Sequence, residues 1–156
     1  MPIRSLDEID RQILKYLQED ARIPNARLAE LVGLSPAPCL RRLRALKEAG
    51  VIRKYVTLVD PHTVGHGVTV FVAIRLDLQA EGRLEILESA VRKWPEVLEC
   101  YLMTGDADYL LRVVVADVEA YENFLRTKLT RLESVASIRS SFALKEVMYS
   151  TAMPIT

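Results

Sequence analysis

The sequence predicts an α+β chain in two parts, three short helices followed by a βαββαβ sandwich, and three observations lead there. Before residue 55 the apolar residues recur at helical spacing, in segments separated by Pro24-Asn25 and by Gly33. After Gly65 and Gly67 the β-branched runs and helical stretches follow the order β, α, β, β, α, β. The charge divides at the same place. The 156 residues balance 21 Lys and Arg against 21 Asp and Glu, yet residues 1–60 hold 11 basic and 8 acidic side chains. Half of the chain is apolar, enough to bury a core and to exclude a disordered or collagen-like class.

The elements can be justified in order. Ile9, Ile13, Leu14 and Leu17 form one stripe of a first helix, and Ser5 with Glu8 three residues on fits a capping box. Ala26–Val32 is a short second helix ended by Gly33. Ser35 followed by Pro36 is an N-cap with proline at the first helical position, and a third helix runs from there to about Ala49 before Gly50. The β-branched, alternating Val51–Tyr55 and Thr57–Val59 suggest a small two-stranded extension, ended by Asp60-Pro61.

The second part begins with a strand over Val68–Leu78. A helix over Gly82–Trp94 carries Leu84, Leu87, Ala90, Val91 and Trp94 and is closed by Pro95. Val97–Thr104 and Tyr109–Ala116 read as a hairpin around the turn Gly105–Asp108. Asp117 caps a helix through Leu129, and Val135–Val147 supplies the last strand or two. This order is the signature of a ferredoxin-like fold. The expected domains are therefore 1–55, a linker strand and hinge over 56–67, and 68–156.

The second and third helices, joined at Gly33, have the length and punctuation of a helix-turn-helix. Within Ser35–Lys54 there are six basic residues against one acidic residue, Glu48, so a chain of zero net charge contains a local polycation. At 100° per residue, Leu40, Leu43 and Leu46 fall on one side of the third helix and Pro38, Arg41, Arg42 and Ala45 on the other. Arg41 and Arg42 are thus candidates for base or groove contact, and Ser35, Arg44, Lys47, Arg53 and Lys54 for phosphate. The N-terminal turn Ser35, Pro36, Ala37 and Pro38 offers a hydroxyl, the Ala37 N–H and a small residue for close approach. The competing reading is a solvated basic helix face.

In the second part, Gly105–Tyr109 combines a glycine turn with two aspartates. Open backbone N–H groups suit a carboxylate, the aspartates suit an ammonium group, and Met103, Thr104 and Tyr109 could wall the site. Turn preference alone also explains Gly and Asp there.

Leu6-Asp7-Glu8-Ile9-Asp10, Leu17–Arg22, Leu34–Leu43, Gly50-Val51-Ile52 and Thr104–Leu111 closely resemble the Lrp/AsnC family of amino-acid-responsive transcription regulators, in the right order across essentially the whole chain. The resemblance implies a winged helix-turn-helix joined to a ferredoxin-like domain that binds an effector and mediates oligomerisation. It implies double-stranded DNA as a partner, and homodimers often gathered into tetramers or octamers. It also implies that the turn lies at a junction between dimers, completed by the last strand of a neighbouring subunit. Matched by position, Thr104, Gly105, Asp106, Asp108 and Tyr109 are primary effector-binding candidates, with Ser141 and Phe142 secondary. Ala107 departs from the aromatic residue that relatives often carry. The apolar Leu102, Met103 and Phe142 favour a branched-chain or sulfur-containing amino acid.

Other classes are disfavoured. Cys39 and Cys100 have no CxxC partner, and His62 and His66 have no partner at ligand spacing, so neither a metal nor a secreted disulfide scaffold is expected. No nucleophile and base stand at a catalytic spacing, and no phosphate-binding glycine motif occurs, so neither an enzyme nor a cofactor is expected. Met1–Asp20 is interrupted by charges, which argues against a signal peptide, and no apolar run could span a bilayer; a cytoplasmic protein without membrane contact is expected. The alternative function is an amino-acid-sensing interaction module that does not bind DNA.

Overall fold

The computed structural model describes residues 5–77 and 81–155, except for the side chain of residue 81. The chain divides into two compact units. One comprises the described parts of Met1–Thr57 and Met148–Thr156, the other Leu58–Val147.

The first unit is built on α1 (Glu8–Glu19), α2 (Asn25–Leu31) and α3 (Pro36–Glu48). Its core is Ile13, Leu14, Leu28, Ala29, Val32, Cys39 and Leu46. Asp7, rather than Ser5, caps α1: its Oδ1 accepts the backbone N–H of Asp10 at 2.8 Å. Carboxylate caps satisfy an otherwise orphaned N–H and also favour the positive end of the helix dipole. Two glycines at positive φ, Gly33 and Gly50, end α2 and α3. Behind them Leu34 N–H donates to Ala29 O at 2.8 Å and Val51 N–H to Leu46 O at 3.0 Å. These helix-end bonds set the tight turn into α3 and the exit from it.

The two-stranded extension expected at Val51–Tyr55 and Thr57–Val59 is absent: residues 51–59 carry no strand. Alternation suits a pleated ribbon, but a ribbon needs a hydrogen-bonding neighbour, and none is paired with this segment. The tail also departs from expectation. Residues 148–155 join the first unit instead of the second. Gln18 Nε2 donates to Met153 O at 3.1 Å, Met153 N–H donates back to Gln18 Oε1 at 2.6 Å, and Ile155 packs on the helical core.

The second unit is one four-stranded antiparallel sheet in the order β2-β3-β1-β4, with β1 Val68–Leu76, β2 Val97–Leu102, β3 Tyr109–Val115 and β4 Val135–Phe142. Helices α4 (Glu81–Val91) and α5 (Val118–Thr127) lie in the crossovers, which makes the βαββαβ order of a ferredoxin-like fold. Asp117 caps α5 through the Ala120 N–H at 2.7 Å, and a single 3-10 turn, Leu129–Arg131, follows it. Strand β1 ends at Leu76; Leu78, where it was expected to end, lies outside the described residues. The last strand stops at Phe142, so the expected continuation to Val147 is not strand.

One face of the sheet buries Val70, Val72, Ile74, Tyr109, Leu111 and Val113 against Leu87, Tyr121 and Phe124 of the helices. Period-two alternation puts Phe71, Ala73, Leu110 and Arg112 on the other face. There Arg112 Nε pairs with Glu99 Oε1 at 2.7 Å, and Phe71 remains exposed.

Candidate functional site

The first candidate surface is the outward side of α3. Its inward stripe is Cys39, Leu43 and Leu46, with Cys39 and Leu46 fully buried. Leu40 is only half-buried, so the helix is rotated from the expected division, and its exposed side runs through Ala37, Arg41, Arg44, Lys47 and Glu48. Among the described residues no carboxylate pairs with Arg41, Arg44, Arg53 or Lys54. Lys47 Nζ sits 4.8 Å above the ring of Tyr55, a cation–π arrangement that leaves the charge exposed.

Arg42 behaves differently. Its Nη1 donates to Asp7 Oδ2 at 2.6 Å and to Asp10 Oδ1 at 3.0 Å, and Asp10 is almost fully buried. The guanidinium faces back onto α1. A charge buried this far requires a partner, and here the partner is the arginine that the helical projection assigns to the groove. The Asp7 carboxyl is held below its ordinary value, first by the Asp10 backbone N–H and then by Arg42.

The second candidate is the β2–β3 turn. Leu102 and Tyr109 are the last paired residues before it, and Met103 N–H donates to Asp108 O at 2.8 Å. Gly105 has φ 111°, a region that disfavours a side chain. Among the described residues, the backbone N–H groups of Thr104, Gly105, Asp106 and Ala107 make no hydrogen bond within the chain. Successive unsatisfied N–H groups in a turn form a nest suited to an anion such as a carboxylate. Asp106 is exposed beside them. Asp108 is buried: its Oδ2 accepts the Leu76 N–H at 2.7 Å, and its own N–H donates to Ile74 O at 2.8 Å. Tyr109 is buried too, and its hydroxyl donates to Glu88 Oε1 at 2.9 Å. Burial and that carboxylate push its ionisation well above the usual phenol range.

Residues 6–53 match the family of winged helix-turn-helix DNA-binding domains, and residues 69–153 match the Lrp/AsnC ligand binding domain. The chain belongs to the Lrp/AsnC family. It is 44% identical to the leucine-responsive regulatory protein of Klebsiella pneumoniae over 154 residues, 99% of this chain and 94% of that one. Among solved structures it is similar to a transcriptional regulator of Neisseria meningitidis in complex with L-Met. That similarity has a TM-score of 0.91 and 41% identity and covers 96% of this chain and 97% of the other. An AsnC family transcriptional regulator from Agrobacterium tumefaciens gives the same TM-score of 0.91 at 44% identity, with the same 96% and 97% coverage. This Lrp/AsnC chain thus pairs a DNA-binding domain with a ligand-binding domain, and its relatives are regulators of transcription rather than enzymes.

Within this Lrp/AsnC fold the expected site residues separate into groups. Ser35, Pro36 and Ala37 are exposed at the start of α3 and Pro38 is half-buried, while Ser35 caps the helix without a side-chain bond. Met103, Thr104, Gly105 and Asp106 are exposed together on the turn. Ser141 and Phe142 are not brought to them. Phe142 pairs with Val70 and Ser141 with Phe71, whereas the turn abuts Ile74, about 13 Å further along β1 at the usual strand rise. The two also point to opposite faces, Phe142 packing edge-on against Tyr121 at 5.3 Å. Glu88, Asp7 and Asp10 were not anticipated as partners. The only available signal was the capping position of Asp7, because a contact between residues 32 or 35 apart leaves no local spacing to read. Among the described residues no helix is long and apolar enough to cross a membrane, and no cluster of His, Cys, Asp and Glu is placed to hold a metal ion.

Proposed function

We propose that this regulator binds double-stranded DNA through the outward side of α3 and responds to a free amino acid held at the β2–β3 turn. The observation that carries the first half is the row Arg41, Arg44 and Lys47, exposed and without carboxylate partners on a helix-turn-helix. Arg41 and Arg44 reach into the major groove; Lys47, Arg53 and Lys54 meet phosphates, and the α3 N-terminus from Ser35 to Pro38 lies against the backbone. Arg42 is a positioning residue that ties α3 to α1, rather than a groove contact.

The second half rests on the open N–H groups at Thr104–Ala107 for a carboxylate and on Asp106 for an ammonium group. Asp108 and Tyr109 build the turn from beneath. The relative solved with L-Met supports an amino acid of sulfur-containing or branched apolar type. Copies of the chain assemble as dimers and larger closed assemblies. The unpaired residues 51–59, with Tyr55, Val56, Leu58 and Val59 exposed, and the helix-free sheet face around Phe71 support this. Ser141 and Phe142 join the effector site only if supplied by another subunit. An effector that binds one assembly better than another shifts the spacing of the DNA-binding units by that difference in affinity. The protein acts in the cytoplasm, where its DNA lies.

The test is a gel shift with the protein's own upstream region. Arg41→Ala with Arg44→Ala abolishes the shifted band at concentrations where wild type is saturated, while size on gel filtration is unchanged. Wild-type binding by the double variant contradicts the assignment and favours a sensing module that leaves DNA alone.

A further inference from the structure

The first turn of α3 has few bonds of its own. Pro36 and Pro38 carry no backbone N–H, Ser35 caps the helix without a side-chain bond, and the Cys39 N–H reaches Ser35 O at 3.3 Å, a long contact. The turn is tied instead from the neighbouring helix. Asn25, the first residue of α2, is half-buried and donates from Nδ2 to Pro36 O at 2.8 Å. Among the described residues no other side chain hydrogen-bonds residues 35–38.

We propose that Asn25 is a positioning residue for DNA reading: by holding the start of α3 it sets the angle at which Arg41 and Arg44 meet base edges. This rests on the reading of the outward side of α3 as the groove-facing surface. Three observations carry it. First, Asn25 and Arg42 give α3 two polar anchors. Arg42 ties the middle of the helix to Asp7 and Asp10, and Asn25 ties its start to α2. The apolar packing of Cys39, Leu43 and Leu46 holds the helix on the core but is not directional. Two hydrogen-bonded points along one axis fix its direction. Without Asn25, α3 pivots about Arg42, and the first turn, about 9 Å away along the axis, swings most. Phosphate contacts tolerate such a swing; bidentate pairing of an arginine with a base does not. Second, the amide fits one way round. Turned over, Asn25 Oδ1 would face Pro36 O, two acceptors with no proton between them. Third, this orientation leaves Asn25 Oδ1 buried with no hydrogen-bond partner among the described residues. An unmatched buried acceptor costs stability, and an apolar side chain of similar size would avoid that cost. What the asparagine supplies in return is the donor to α3.

The experiment uses the full-length protein, with Asn25→Leu, which keeps the bulk and removes the donor, and Asn25→Ala, which adds no bulk. The Arg41→Ala, Arg44→Ala variant is measured beside them. Two duplexes of equal length are titrated across a salt series, one selected from a random library by wild type and one of shuffled sequence. Both Asn25 variants should lose at least about tenfold in preference for the selected duplex, the cost of roughly one mismatched base pair. Affinity for the shuffled duplex should stay within about threefold of wild type with the salt slope unchanged, because no cation has been removed. Partial unfolding would lower both affinities together and leave their ratio alone, so the ratio reports positioning rather than stability. Wild-type preference in either Asn25 variant, or an equal loss on both duplexes, overturns the positioning role. The groove-facing reading then still stands if the double arginine variant has lost selection. If that variant selects as wild type does, or if wild type selects no sequence, the groove-facing reading falls and the positioning role with it.

Discussion

Asp10 and Asp108 are both almost fully buried, one in each unit, and each carboxylate is tied to a different kind of donor. Asp10 meets the guanidinium of Arg42, which also holds Asp7. The Asp108 Oδ2 accepts a backbone N–H from Leu76 at 2.7 Å. In the helical unit, then, a side-chain cation fixes one helix on another. In the sheet unit a backbone N–H of β1 holds the turn through the Asp108 carboxylate. The comparison shows that a charged residue beside a functional surface need not belong to it. Arg42 stands next to Arg41 in the sequence, and Asp108 two residues from Asp106, yet in each pair one member is structural and the other is presented.

The sharpest way to break the comparison is at Asp108. Asp108→Ala leaves the buried Leu76 N–H without an acceptor, and should cost about 1–3 kcal/mol, read by denaturant unfolding. A neutral result means that the turn is not anchored to β1 by this carboxylate. Arg42→Ala comes next. Asp7 is half-exposed and the arginine itself 29% exposed, so solvent screening reduces the loss to about 1–2 kcal/mol. A double-mutant cycle with Asp10→Ala should show coupling between the two. The smallest effect is on pH dependence. Asp7 is depressed below 3.8, so its contribution is fully present above that value and is lost as pH falls through the lower folded value. Acid unfolding of wild type should therefore steepen below that point, and Asp7→Asn should flatten that part of the profile.

Much of the architecture was legible because it rests on local signals. Gly33 and Gly50 stop helices through positive φ, Pro36 begins one, and the alternation of Val70, Val72 and Ile74 faces a core that the hairpin completes. Residues 51–59 misled because alternation reports what a ribbon would look like, not whether a neighbour exists to pair with it. The tail misled for a related reason: the Gln18–Met153 bonds join residues 135 apart, and no periodicity records such a pairing. In the site, the turn was readable from glycine and aspartate types. The division of labour within it was not, since Asp108 is held by the Leu76 N–H of β1 and the Tyr109 hydroxyl by Glu88 of α4, partners 32 and 21 residues away. On α3, Cys39 belongs to the inward stripe beside Leu43 and Leu46, a small residue that packs as tightly as Leu46.

The most direct measurement is the salt dependence of operator binding by wild type and by the Arg41→Ala, Arg44→Ala variant. Each phosphate contact contributes about 0.9 to the slope of log affinity against log salt. If exposed cations on α3 grip the duplex, wild type should show a steep slope, and the variant should bind weakly with a slope that is flatter or lost altogether. Equal affinities and equal slopes would mean that the duplex meets some other part of the molecule.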